Sequence, residues 1–142
     1  MANLRIPGPT PLLPQVLSSL SKQMISHRGK SYEKVHQEVV SGLQYFFQTK
    51  NPIYLLTASG TAGLETSVVN FFSPGDSVIF FTCGEFGYRW SEIARSFKLN
   101  VTQVKFDEGT GVRKETVEKT LSELKEVAGV FITHNETGTG VL

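Results

Sequence analysis

The fold of this chain is decided by residues 71–90, which read FFSPGDSVIFFTCGEFGYRW. Within this stretch, Ser73-Pro74-Gly75-Asp76 is typical of a turn. Ser77–Thr82 follows, an apolar run short enough for a strand that is buried on both faces. Apolar residues at positions 90, 93, 94 and 97 then recur at helical spacing, which predicts a helix over residues 88–97. A buried strand followed by a helix is half of a β-α-β unit.

The same alternation extends in both directions from this stretch. Further strands are predicted at residues 53–57, 101–106 and 130–133, and further helices at residues 15–25, 32–48, 61–72 and 114–126. On the helix at 32–48 we expect an apolar stripe to pack against the body of the domain; it consists of Val35, Val39, Leu43 and Phe46. Strands that alternate with helices in this way predict a three-layer α/β fold, with a mostly parallel sheet and helices on both faces.

Composition argues against several classes of protein. The 142 residues are 39% hydrophobic and 19% charged with a net charge of +1, so the basic excess of a nucleic-acid binder is missing. The single cysteine, Cys83, excludes an internal disulfide and favours a reducing compartment. Residues 1–14 hold four prolines, which predict an extended arm, and show no signal-peptide pattern. No apolar run approaches the ~20 residues that span a bilayer. We expect a soluble, cytoplasmic protein that binds neither nucleic acid nor a membrane.

Three loops follow predicted strands and should lie at the carboxyl edge of the sheet, where open α/β sheets bind ligands. Ser59-Gly60-Thr61 precedes a helix, where it suits either a phosphate group or a plain helix cap. In Gly84-Glu85-Phe86-Gly87, Phe86 can stack on a planar ring or pack onto the following helix. His134-Asn135-Glu136 contains half of the zinc-deaminase signature, but the P-C-x-x-C half is missing, which disfavours a metal site.

Seven motifs together carry a more specific signal than any one of them. In chain order they are Pro7-Gly8-Pro9-Thr10, His27-Arg28, Phe47-Gln48-Thr49, Ser59-Gly60-Thr61, Pro74-Gly75-Asp76, Gly84-Glu85-Phe86-Gly87 and Thr133-His134-Asn135-Glu136-Thr137. This series resembles the N-terminal part of a class V, fold type I aminotransferase that depends on pyridoxal 5'-phosphate (PLP). The resemblance is to the branch of alanine–glyoxylate and serine–pyruvate aminotransferases, in which some relatives are named soluble hydrogenase small subunits.

The resemblance implies roles for the residues that match the family's motifs. Ser59, Gly60 and Thr61 match the cup for the cofactor phosphate. Phe86 matches the aromatic ring that stacks on the pyridine, and Thr137 matches the hydroxyl that hydrogen-bonds the phenolic oxygen.

The residues for covalent chemistry are expected elsewhere. In the family, an aspartate at the pyridine nitrogen and the Schiff-base lysine come later in the chain; neither Asp76 nor Asp107 suits the first role, and none of the nine lysines follows His134. The chain then has two parts. Residues 1–14 are an extended N-terminal arm, and residues 15–142 are the N-terminal part of the PLP-binding large domain, truncated before the Schiff-base lysine.

The function implied by the resemblance is transamination by a homodimer. The amino group would move between alanine or serine and a 2-oxo acid such as glyoxylate or pyruvate, and this chain would cradle the cofactor without supplying a catalytic residue or a metal ligand. One alternative is a cysteine desulfurase, which Phe86 disfavours because those enzymes usually have histidine at that position. The other is a subunit of the soluble-hydrogenase type with no role in transamination.

Overall fold

A computed structural model describes Leu4 and residues 6–142. The chain divides into two compact units, Met1–Leu56 and Thr57–Leu142. In the first unit the described residues form helices α1 (Pro14–Leu20) and α2 (Lys30–Phe46). α1 begins at a proline, which suits a first helical turn because an N–H group there has no partner within the helix. The predicted arm therefore ends before Pro14, and the helix predicted at 15–25 ends earlier, at Leu20.

The expectation that the apolar stripe of α2 is buried is wrong for the part of the chain described. No residue of this helix is buried, and Val39 and Phe46 are 41% and 74% exposed. Among the described residues of this unit, α1 is the one other helix, and its 7 residues are too few to cover a helix of 17.

The second unit is an α/β structure. Its elements in chain order are α3 (Gly60–Phe71), β1 (Ser77–Thr82), α4 (Glu85–Ser96), β2 (Asn100–Lys105), α5 (Lys114–Glu123) and β3 (Gly129–Ile132). The three strands form a parallel sheet in the order β2-β1-β3. The mixed α/β architecture with a parallel sheet confirms the predicted fold class.

The strand predicted at residues 53–57 is not formed. Tyr54 is 83% exposed, and Leu55 and Leu56 are about half exposed. A strand needs a neighbour that satisfies its backbone groups. Within the described residues, the strands of the sheet pair only with one another, so this apolar run has no partner.

The core is built on β1, the central strand. Val78, Ile79, Phe80 and Phe81 are each 1% exposed, and since successive side chains point to opposite faces, both faces of β1 are covered. On one face the ring of Phe80 stacks on that of Phe131 with centroids 4.2 Å apart, and Trp90 meets Phe131 edge-on at 4.9 Å. These rings bring together β1, β3 and α4.

The parallel pairing of β1 with β3 determines where the loops lie. Phe81 pairs with Ile132, so the loops that leave the carboxyl ends of these two strands start side by side. They contain two of the three motifs expected at the ligand-binding edge. None of the helices described is sufficiently long and apolar to cross a membrane.

Candidate functional site

The loops after β1 and β3 are joined by one buried carboxylate. Glu136 is 1% exposed, and its side chain reaches the first turn of α4. The N–H group of Phe86 donates to both carboxylate oxygens, at 3.3 and 3.1 Å, and the N–H group of Gly87 donates to Oε2 at 3.3 Å. A helix N-terminus favours a negative group because its first N–H groups lack partners within the helix. Glu136 therefore fills the N-terminus of α4.

The Glu136 carboxylate constrains two residues beside it, Gly84 and Cys83. A Cβ atom at Gly84 would lie 2.6 Å from Cδ of Glu136, so a side chain at this position would force Glu136 out of its place. Burial, and secondly the charge of Glu136, raises the pKa of the Cys83 thiol above its ordinary value of 9.0. The H-x-E pattern that suggested a zinc deaminase thus places its glutamate against backbone amides.

The N-terminus of α3 differs from that of α4. In the part of the chain that the structure describes, the Ser59 side chain makes no capping hydrogen bond to this helix. Ser59 and Gly60 are exposed and Thr61 is half-buried. Apart from the two adjacent residues and the backbone of α3 itself, no described atom lies within 4 Å of the place that a Cβ at Gly60 would take. The plain-cap interpretation of Ser59-Gly60-Thr61 therefore lacks its hydrogen bond. The loop leaves open space in front of a helix N-terminus, which suits an anion.

Trp90 of α4 joins this helix to α3. Its indole N–H group donates to the carbonyl oxygen of Leu64 at 3.1 Å and to Oγ of Ser67 at 3.2 Å, both on α3. Because Trp90 also packs against Phe80 and Phe131, the two helices are fixed to each other and to the sheet. The loop before α3 is therefore positioned by the same core that positions Phe86.

Phe86 and Thr137 lie on the joined loops. Phe86 is half-buried, and the guanidinium carbon of Arg89 lies 5.3 Å from the centre of its ring. Thr137 is exposed in a loop closed by two backbone hydrogen bonds, from the Glu136 N–H group to Val141 at 2.9 Å and from the Gly140 N–H group to Glu136 at 2.8 Å.

The five predicted site residues are connected in the structure through two other residues, Glu136 and Trp90. Glu136 connects the loops of Phe86 and Thr137, and Trp90 connects the helices that begin near Ser59 and Phe86. No hydrogen bond between described residues links Ser59, Gly60 or Thr61 directly to the other two. Sequence reasoning missed the roles of Glu136 and Trp90. The available signal for Glu136 was its place in the H-x-E pattern of a loop that follows a predicted strand.

Comparison with known proteins identifies the family. The profile of the family Aminotransferase class-V matches residues 4–142. The chain belongs to the class V aminotransferases. It is 39% identical over 137 residues to an alanine–glyoxylate aminotransferase of Rattus norvegicus, covering 96% of this chain and 33% of that protein. It is 37% identical over 141 residues to the soluble hydrogenase 42 kDa subunit of Anabaena cylindrica, covering 98% of this chain and 37% of that protein.

A solved aminotransferase structure is similar to this chain as well. The alanine–glyoxylate aminotransferase of Nostoc sp. superposes with a TM-score of 0.88 at 29% identity, covering 95% of this chain and 36% of that one. The chain thus spans about a third of the length of the relatives it matches. Pyridoxal phosphate is the cofactor of this family, and the open N-terminus of α3 offers N–H donors of the kind that its phosphate group requires.

Proposed function

We propose that the protein containing this chain is a PLP-dependent transaminase and that residues 15–142 are part of its cofactor-binding large domain. It would move an amino group between alanine or serine and a 2-oxo acid, glyoxylate or pyruvate. The observation that carries the proposal is the contrast between the N-termini of α3 and α4, two helices that Trp90 joins. That of α4 is filled by Glu136, and that of α3 is open. A phosphate dianion would therefore bind at α3.

We assign three roles to the residues of this chain. The backbone N–H groups and hydroxyls of Ser59-Gly60-Thr61 bind the phosphate, the Phe86 ring lies on the pyridine, and the Thr137 hydroxyl holds the phenolic oxygen. When bound, the cofactor acts as an electron sink for the substrate. The residues named here bind and orient it, and the groups that make and break covalent bonds are supplied from outside this chain.

The substrate class rests on the names of the similar proteins. The Rattus norvegicus and Nostoc sp. relatives are both alanine–glyoxylate aminotransferases. The Anabaena cylindrica relative carries a hydrogenase name and supports the alternative, a subunit without transaminase activity. A cysteine desulfurase is disfavoured by Phe86.

The decisive experiment combines cofactor binding and activity in the full-length protein. Titration with PLP should give a saturable visible absorbance, and the loaded protein should convert alanine and glyoxylate to pyruvate and glycine. Binding without turnover of alanine or serine would favour the non-catalytic alternative. Absence of PLP binding would contradict the proposal itself.

Two substitutions at the ring-binding positions should weaken PLP binding to different degrees. Phe86→Ala loses stacking worth about 0.5–1.5 kcal/mol in addition to buried area. Thr137→Val keeps the shape of the side chain and loses one hydrogen bond, worth about 1 kcal/mol. Equilibrium titration of the two apo variants should therefore show the larger loss of affinity for Phe86→Ala. The reverse order would contradict the role assigned to Phe86.

We also propose that the protein is a cytoplasmic homodimer. Its N-terminal segment, residues 1–14, which consists of the predicted arm and the first residue of α1, contributes to the subunit contact or the substrate site. The prolines of the arm remove backbone donors, so it needs another surface to pack on. Deleting residues 1–14 from the full-length protein should reduce dimer content in sedimentation or lower transaminase activity. A fully active dimer after the deletion would exclude this role.

A further inference from the structure

Glu136 is a buried acidic group that the proposed function does not use. Its side chain is nearly inaccessible, and it takes part in none of the ion pairs found among the described residues. A buried carboxylate is unfavourable unless donors compensate it. The N–H groups of Phe86 and Gly87, at the positive end of α4, provide that compensation.

Both ends of this contact are held in place. The backbone of Glu136 is fixed by its bonds to Val141 and Gly140. At the other end, Gly87 is buried, and a Cβ atom there would lie 3.2 Å from the Thr82 side chain and 3.3 Å from Oγ1 of Thr133. Neither the loop nor the helix N-terminus can shift without breaking the bonds to the carboxylate.

We propose that Glu136 is a positioning residue that fixes the Phe86 ring for cofactor stacking. The carboxylate binds the N–H group of Phe86 itself, 50 positions earlier in the sequence. The position of the Phe86 backbone determines where the Cβ atom, and with it the aromatic ring, is placed. The inference rests on the proposed function, because that function supplies the pyridine ring on which Phe86 stacks.

A double-mutant cycle in the full-length protein tests this role. Glu136→Gln keeps the size of the side chain but removes its charge and turns one of its two acceptor oxygens into an NH2 donor. It should weaken PLP binding about tenfold, as expected when hydrogen bonds to a charged acceptor are weakened. It should also reduce the circular dichroism of the bound cofactor in its visible band, which reports the asymmetry around the ring. In the Phe86→Ala background the same substitution should weaken binding less than about twofold, because coupled residues are not additive.

Glu115→Gln is the matched control. Glu115 lies in the first turn of α5, so its carboxylate is likewise near a helix N-terminus, but it is exposed. This variant should keep both the affinity and the dichroism. An equal loss from Glu136→Gln in both backgrounds, or no loss, would overturn the positioning role while wild-type PLP binding upholds the proposed function. Failure of the wild type to bind PLP would overturn both.

A measurement on the wild-type protein covers the case in which Glu136→Gln does not fold. Amide hydrogen exchange at Phe86 and Gly87 should be as slow as at Tyr88, whose N–H group donates to Gly84 within the helix. First-turn amides without a partner exchange rapidly. Rapid exchange at Phe86 and Gly87 would therefore overturn the inference.

Discussion

Replacing Gly60 by glutamate is expected to weaken PLP binding about 100-fold or more, because two unit charges about 4 Å apart repel by about 4 kcal/mol at an effective dielectric constant of about 20. The new carboxylate would stand before the N-terminus of α3, in the space assigned to a phosphate dianion. Outside the adjacent residues and the backbone of α3, no described atom lies near the place of a Cβ at Gly60, so the substitution should leave the fold intact. Equilibrium titration of the apo protein with PLP measures the effect.

Gly63→Glu is the control for this experiment. Gly63 lies on the same helix, is exposed and also has open space around the place of a Cβ. The same chemical change there should alter PLP affinity much less. If Gly60→Glu binds PLP as tightly as the wild type, the loop before α3 is not the phosphate site.

Replacing Phe131 by alanine is expected to lower the free energy of unfolding by about 3–5 kcal/mol, the usual cost of deleting a buried aromatic ring. Phe131 is 6% exposed, and its ring contacts those of Phe72, Phe80 and Trp90 at centroid distances of 5.3, 4.2 and 4.9 Å. Its removal leaves a cavity where β1, β3 and α4 meet. Urea denaturation of the variant gives the loss directly.

Phe71→Ala makes the same chemical change on a side chain that is 79% exposed. Its effect should stay within about 0.5 kcal/mol, as is usual for surface positions. Equal losses in the two variants would show that the aromatic cluster is not the main source of stability in the second unit.

The sequence predicted those elements whose signal is local. The apolar run Ser77–Thr82 lies between a turn and a glycine, and β1 has those bounds in the structure. The α/β class and the loops that carry the motifs were likewise predicted from local apolar runs, turn residues and short motifs. The helix predicted from residue 88 begins earlier, at Glu85, because its first turn is stabilised by Glu136. A contact across 50 positions leaves no periodic signal in the chain.

The errors have a related cause. Residues 53–57 have the composition of a buried strand, yet a strand exists only when another strand pairs with it, and composition does not contain that information. The apolar stripe of α2 likewise predicts that a face can be buried, and the covering surface has to come from another element. In the site, Ser59, Phe86 and Thr137 could be singled out from motifs, whereas the connections through Trp90 and Glu136 required the fold.

The close approach of Gly84 to Glu136 bears on how this protein can evolve. A side chain at position 84 would overlap that of Glu136, so the first tolerated change would have to shorten residue 136. That change, taken alone, leaves two amides of α4 without their acceptor. Each single step is therefore unfavourable. Only a joint replacement in which a new side chain at position 84, the N-cap of α4, accepts hydrogen bonds from those amides escapes both penalties. The two positions therefore form an epistatic pair that should co-vary among homologous sequences.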